Sequence, residues 1–535
     1  MQHSKTYKQL QSQKDALAST RIDKLFAASS KRAEQFTRKT NNIVLDFSKN
    51  ILDEETLNLL LEFAREQRVP EAIDLLLAGK FENVSCASSV LHTTLRDFKN
   101  TPAYVQKMWQ KMQQIVNDVH TGKWRGFSNK PITDVVNIGI GGSHLGPCLL
   151  NSALKSFWTR NVKSHFISGL SDIKINGILD KLNPETTLFI IVSKTFTTQE
   201  TMCNAQIFMN WFLRNSNDKQ HIAKHFIAVT DNVKKAKQFG IPQDNCLQTL
   251  KEVGGRFSVW SYAGLSVALF IGMPNFMELL KGAYSMDMHL ETSDLEDNMP
   301  LIMALLSIWY SRFLDAQTHA IFSYSGYLKE LPTYLQQLVM ESLGKSCDRD
   351  GKPISGITGD VICGGIGTDV QHSFLQLLHQ SNTLIPADFF VFKQHGDAQN
   401  ISEKMLLANC FAQSRTLMNG RSYDDVYKEL LQQGLSEEAA KQLAPHKVLK
   451  GNNPSNTILV DNLTPYNIGS LLALYEHKIF LQSVLLNINA FDQWGVEAGK
   501  AVSDEILSVL NKHNSNNNLD ASTVGLLDRM LAKRA

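Results

Sequence analysis

Between residues 134 and 232 the chain three times runs a short apolar segment into Gly, Ser or Thr and then into an amphipathic stretch. The segments are DVVNIGIGGSHLGP (134–147), TLFIIVSKTF (187–196) and HFIAVTDN (225–232). Apolar runs too brief for helices, alternating with helix-like segments, predict a parallel sheet in an α/β fold. The rhythm restarts at HAIFSYSG (319–326), continues through DVICGGIGTD (360–369) and reaches LIPADFFVF (384–392). Two α/β units of unequal size follow, with no strict sequence period relating them. Residues 1–110 read mostly as helix, as in ETLNLLLEFAREQ. Helical stretches SEKMLLANCFAQSRTLM and NIGSLLALYEHKIFLQSVLLNIN (467–489) follow these strand-like segments, then an Asn-rich loop HNSNNN (513–518) and a terminal helix STVGLLDRMLAKRA. The expected division is a mainly helical region 1–110, α/β units at 111–300 and 301–490, and a helix with a tail at 491–535. A chain of 535 residues has room for this, at roughly 100–200 residues per domain.

The second apolar run ends in one cation and a cluster of hydroxyls: Ser193, Lys194, Thr195, Thr197 and Thr198. These residues fall where a parallel strand ends and a helix begins, which is where open α/β sheets bind ligands. Helix N-termini offer unpaired N–H groups and a positive dipole end to anions. Lysine and hydroxyls there make a phosphate cradle. Thr197 and Glu200 also have capping-box spacing, so helix capping alone is the competing explanation. The turn GIGGSHLGP is a second candidate, because glycines admit close backbone approach. It is not a dinucleotide fingerprint, since His144 stands where the third glycine is required. Nor is GKS at 344–346 a nucleotide P-loop, since Val339 occupies the place of its first glycine. Gly142 and Ser143 therefore suit a smaller ligand.

Acid–base candidates lie further along. LQQLVMESLGKS (335–346) sets Gln337 and Glu341 four apart, on one face if helical. Glu341 is a general-base candidate or, alternatively, a solvated helix carboxylate. His372 follows the glycines of GGIGTDVQH and reads as the start of a helix, where a neutral imidazole is favoured; His379 would lie two turns along the same face. A histidine satisfied by one hydrogen bond is the alternative. FDQWGVEAGK (491–500) puts Gln493, Glu497 and Lys500 on one helical face, where Lys500 could deliver a proton or pair with Glu497 on the surface. Arg256 follows two glycines in EVGGRFSVWS and is either an oxyanion-stabilising guanidinium or a structural ion-pair partner.

The remaining composition excludes more than it proposes. Lys and Arg number 54 against 52 Asp and Glu, a net charge of +2, which argues against a nucleic-acid or membrane-surface partner. Seven scattered cysteines without CxxC pairing suit free thiols in a reducing compartment. The first twenty residues lack an apolar signal core, and GLSVALFIGM (264–273) is too short to span a bilayer. A cytoplasmic location is expected. No HExxH, CxxC or GxSxG motif asks for metal or acyl chemistry. Proton transfer on a small phosphorylated substrate fits what is left.

GIGGSHLGP, SKTFTTQET, EVGGRFSVWSYAGL, QQLVMES, QHSFLQLLHQ and ALYEHKIF…FDQWGVEAGK together resemble, in order, the motifs of the glucose-6-phosphate isomerase family; LDFSKN (45–50) and VLHTTLR (90–96) extend the match. The resemblance implies two sugar-isomerase (SIS) α/β subdomains wrapped by helices, a homodimer, no metal or cofactor, and interconversion of glucose 6-phosphate with fructose 6-phosphate. It further implies that Ser143, Ser193, Lys194, Thr195 and Thr198 hold the phosphate. His372, supplied across the dimer interface, and Lys500 would open the ring. Glu341 would move a proton between C1 and C2 through a cis-enediolate, and Arg256 would stabilise the developing charge. Gln337 and Gln493 would line the site, and Glu200 would orient His372 or cap its helix. A phosphosugar isomerase of other sugar preference, mannose 6-phosphate included, and a non-enzymatic phosphosugar sensor are the rival classes. Three places depart from the family pattern: Asp369–Val370 before Gln371–His372, Asn453 where Arg is common, and NVSCASSVLH (83–92), which lacks the usual charges.

Overall fold

The structure, a computed structural model, describes residues 4–40, 42–159, 161–394, 400–511 and 519–532. The Asn-rich segment 513–518 lies outside the described residues. The chain divides into two compact units, 1–490 and 491–535.

In chain order the strands of the first unit are β1 (Thr37–Lys39), β2 (Ile43–Lys49), a short hairpin β3 (Glu82–Asn83) and β4 (Ser88–Ser89), β5 (Asp134–Ile138), β6 (Lys163–Ile167), β7 (Thr187–Val192), β8 (Phe226–Thr230), β9 (Cys246–Gln248), β10 (Thr318–Ser323), β11 (Val361–Ile366), β12 (Ala387–Gln394) and β13 (Ser455–Asn462). One sheet runs β6-β5-β7-β8-β9, parallel throughout. Strands β5, β7 and β8 are buried at every residue. That burial is why they read as continuous apolar runs and not as alternation. On one face Val136, Ile138, Phe189 and Ile191 pack with Ala205, Phe208 and Phe212 of the helix Gln199–Ser216 that follows β7. None of the buried residues of helix Gly142–Ala153, which follows β5, joins that cluster. The strand order reverses between β5 and β7, so their carboxyl ends flank the crevice where such sheets bind ligands.

The second sheet runs β1-β2-β13-β12-β10-β11. Its parallel part, β11-β10-β12-β13, repeats the order β6-β5-β7-β8 of the first sheet. The two halves thus share a topology that no sequence period reveals. Its far edge is built from the N-terminal region: β2 pairs antiparallel with β13 and β1 with β2. This differs from the mostly helical reading of 1–110. Helices do occur there, at Lys5–Leu17, Glu54–Glu66 and Val69–Leu77. But Ile43, Leu45 and Phe47 alternate inward, a period-two pattern whose partner strand is hundreds of residues away.

Helix Pro465–Leu485 is buried around nearly its whole circumference, against helices Met273–Thr292 and Met299–Ile308. The second unit contains helices Trp494–Leu510 and Ala521–Ala532. Among the described residues no helix is long and apolar enough to cross a membrane, and all seven cysteines are free thiols.

Candidate active site

The crevice between β5 and β7 is built from two turns. After β5, Gly141 adopts a left-handed φ of 56° and caps helix Gly142–Ala153 without a side-chain bond. After β7, Thr198 caps helix Gln199–Ser216, again without a side-chain bond. Neither N-cap residue therefore spends a side chain on the first-turn N–H groups, an arrangement that suits an anion. The capping box expected of Thr197 and Glu200 does not form. Phe196 takes a φ of 53° and buries its ring against Phe239, turning the chain so that the helix starts one residue later. Thr197 Oγ1 instead pairs with Thr195 Oγ1 at 2.7 Å. Ser193 is buried, and its hydroxyl donates to Thr198 Oγ1 at 3.5 Å. Lys194 Nζ donates to the carbonyls of Lys251 at 2.6 Å and Val253 at 3.2 Å, and burial lowers its pKa. The lysine thus ties the hydroxyl loop to the segment leading into Arg256.

That segment presses directly on the first turn. A Cβ on Gly142 would lie 2.0 Å from the carbonyl carbon of Gly255, so backbone meets backbone and glycine is required. Arg256 comes next and is 4% exposed. Its Nε donates to Ser342 Oγ at 2.7 Å, and one guanidinium nitrogen donates to the Ala490 carbonyl. The other guanidinium nitrogen faces Glu341 Oε1 at 3.5 Å. Glu341 closes a π-helical turn, Gln337–Glu341, that interrupts the helix begun at Leu331. The expected α-helical face for Gln337 and Glu341 is therefore replaced by a wider turn, of the kind that recurs at functional sites. Gln337 reaches the first turn: a Cβ on Gly141 would meet its Nε2 at 2.9 Å. Its Oε1 is buried and has no partner among the described residues.

The structure thus gathers Gly142, Ser143, the loop 193–198, Arg256, Gln337 and Glu341. His372 is placed differently from the sequence expectation. It ends the short helix Gly367–Gln371 instead of starting one. Its side chain is exposed and makes no hydrogen bond or ion pair among the described residues. His379 lies on a separate helix, Leu375–Gln380, and bonds Gln413 Oε1 at 3.0 Å, so the two histidines share no continuous face. Glu200 is half-buried in the first turn of its helix. In the second unit, Gln493 is the N-cap of helix Trp494–Leu510, its amide donating to Glu497 Oε1 at 3.4 Å, and Lys500 lies on the same helix.

Two of the unusual positions are explained by packing. Val370 is buried in the core of the second sheet, where a Cβ on Gly365 would touch it at 2.8 Å. Asn453 is buried and donates to the Leu378 carbonyl at 2.5 Å near the end of helix Leu375–Gln380. Sequence reasoning missed Ser342. Its only signal was adjacency to Glu341.

The sequence matches the family model for phosphoglucose isomerase over residues 46–527. It is 45% identical over 513 residues to a glucose-6-phosphate isomerase of Shewanella sp. (strain ANA-3), covering 94% of each chain. It is 43% identical over 535 residues to that of Hahella chejuensis (strain KCTC 2396), covering 98% of this chain and 96% of the relative. The crystal structure of a glucose-6-phosphate isomerase from Chlamydia trachomatis D/UW-3/Cx superposes with a TM-score of 0.85 at 27% identity, over 100% of this chain and 99% of that one.

Proposed function

The chain belongs to the phosphoglucose isomerase family and interconverts glucose 6-phosphate and fructose 6-phosphate, a step of glycolysis and gluconeogenesis, and we propose that Glu341, acting beside Arg256, carries the proton. Ser143, Ser193, Thr195 and Thr198, with Lys194 and the first-turn amide of Gly142, hold the phosphate. His372 and Lys500 open the ring, the histidine delivered by the partner subunit of a homodimer and oriented by Glu200. The exposed, uncommitted imidazole supports that delivery. Gln337 and Gln493 line the sugar. Glu341 then removes the proton at C2 of the open aldose and returns it at C1, through a cis-enediolate. Negative charge appears on oxygen in that step, and a cation held in advance in a dry pocket lowers the barrier. Binding the remote phosphate supplies energy that can be spent at the reacting carbons. The free thiols support a cytoplasmic location.

The observation that carries this reading is the 3.5 Å approach of Arg256 to Glu341, with the guanidinium fixed in place by bonds to the Ser342 hydroxyl and the Ala490 carbonyl. The test is Glu341→Gln assayed with fructose 6-phosphate in EDTA. A general base contributes ~10²–10⁴-fold, so turnover should fall by at least that factor while phosphosugar binding, measured by calorimetry, persists. With glucose 6-phosphate as substrate, wild-type protein should exchange the C2 hydrogen with solvent. A fully active variant would remove Glu341 from the mechanism.

A further inference from the structure

The carboxyl edge of the first sheet holds a cavity that shares Ser143 and Lys194 with the candidate site and extends away from it toward Leu95 and Lys107. It has a volume of about 190 Å³ and is walled by Leu95, Met108, Val192, Val229, Leu250 and Val253. A dry apolar cavity of roughly 150 Å³ is enough for benzene, so this one has room for a single aromatic ring with a short side chain. Its charged lining is one-sided. Lys107 and Lys194 both border it, and among the described residues no Asp or Glu does. Lys107 is exposed. Lys194 is half-buried, its ammonium held by two neutral carbonyls, while Asp231 and Glu252 act on it only from outside the lining. An apolar chamber with two cations and no carboxylate fits a small amphipathic anion.

We propose that this cavity binds an aromatic monocarboxylate, with the ring among the apolar side chains and the carboxylate at Lys194 and Lys107, and that its occupancy weakens phosphosugar binding. The coupling rests on the reading of Ser143 and Lys194 as phosphate residues, since both also line the cavity. A carboxylate that draws Lys194 Nζ from the Lys251 and Val253 carbonyls loosens the tie between the hydroxyl loop and the Gly254–Gly255 turn. The coupling is reciprocal, so phosphosugar should weaken the aromatic acid by the same factor.

The probe is 3-phenylpropanoate, titrated into the full chain and followed by saturation-transfer NMR, a readout independent of isomerisation. Binding is expected in the low millimolar range, as for a ligand of so few heavy atoms. The neutral 3-phenylpropanamide should bind at least about fivefold more weakly, and Lys107→Glu should weaken the acid about threefold to tenfold. Leu250→Trp should abolish binding by filling the chamber. Should that variant unfold, Lys107→Glu and the amide still decide the matter. In the isomerase assay, saturating probe should raise KM for fructose 6-phosphate at least twofold. Equal binding of acid and amide overturns the proposal, as does binding that survives in a folded Leu250→Trp, which would place the probe in the phosphate cradle. Specific binding with an unchanged KM overturns the coupling and, with it, the phosphate role of Lys194, while leaving the proton role of Glu341 to its own test.

Discussion

Two of the buried arginines of the first unit, Arg96 and Arg256, are treated oppositely. Arg96 is fully buried and saturated with charge. Its Nε and one guanidinium nitrogen donate to the two oxygens of Asp287 at 2.8 Å, and the other donates to Glu476 at 2.6 Å. Trp260 Nε1 takes the remaining Glu476 oxygen at 2.8 Å, and His477 Nε2 lies 2.6 Å from Asp287. Burial would raise the Asp287 pKa, but Arg96 and His477 outweigh it and hold the carboxyl at about 2. At Glu476 burial prevails over Arg96 and its pKa is raised. Arg256 is almost as buried, but it donates to a neutral hydroxyl and a neutral carbonyl, and it faces the Glu341 carboxylate at 3.5 Å. A cation neutralised in the resting fold has little left to offer a transition state. One held by a hydroxyl and a carbonyl keeps its charge for the moment when an oxyanion forms.

The contrast breaks if the two arginines respond alike to mutation. Arg96→Met leaves two carboxylates buried without their cation, a loss of about 3–5 kcal/mol in urea unfolding. A near-neutral change there would show that the centre is not structural. Arg256→Lys keeps a positive charge but loses the fork that reaches Ser342 and Glu341 together. Turnover should fall ~10²–10³-fold, with a stability change well below that of Arg96→Met. If both variants lose stability equally and retain turnover, Arg256 is simply another strut.

How much of this contrast could be read from the chain alone depends on distance along it. The Gly254–Gly255–Arg256 turn, the hydroxyls after β7 and the pair Gln337 and Glu341 are each local, and each declared itself by residue type and spacing. The sealed centre did not, because Arg96 and Glu476 are 380 positions apart and nothing near either predicts the other. Strand β2 escaped for the same reason: its alternation is visible, but β13, which makes it a strand, is not adjacent. The π-turn at 337–341 and the position of His372 at a helix end were hidden because helix boundaries are set by tertiary packing.

A gentler test uses pH, and it separates the charged centre from buried neutral groups. Asp287 is held at about 2, so its pairing contributes fully above about pH 4 and fades only as pH falls toward 2. His225 titrates earlier. It is fully buried, with Nδ1 at the Thr187 carbonyl, 2.6 Å, and Nε2 accepting from the Phe127 N–H, 2.9 Å. Burial pushes its pKa down to about 4. The unfolded chain protonates this histidine first, so stability falls as pH drops below about 6.5 and goes on falling to about 4. Between pH 8 and 5 the loss from this residue is about 2 kcal/mol. It should shrink in His225→Gln, measured as the difference in unfolding free energy at the two pH values. An unchanged slope would mean that His225 is not the titrating group.

The smallest expected effect comes from the residue that sequence did not flag. Ser342 is buried and aims its hydroxyl at Arg256 Nε, 2.7 Å away, one position beyond the proposed base. Ser342→Ala removes one hydrogen bond to a charged donor but no charge. If that bond only fills a packing gap, unfolding free energy should drop and turnover should not. If it holds the guanidinium toward the forming oxyanion, turnover should fall about tenfold with KM for fructose 6-phosphate unchanged, because the interaction matters only where negative charge has developed. Ser342→Thr, which restores a hydroxyl, should recover part of that loss. Arg256 would then be a cation kept available by a neutral partner, whereas Arg96, with no such partner to lose, has its charge spent in the fold.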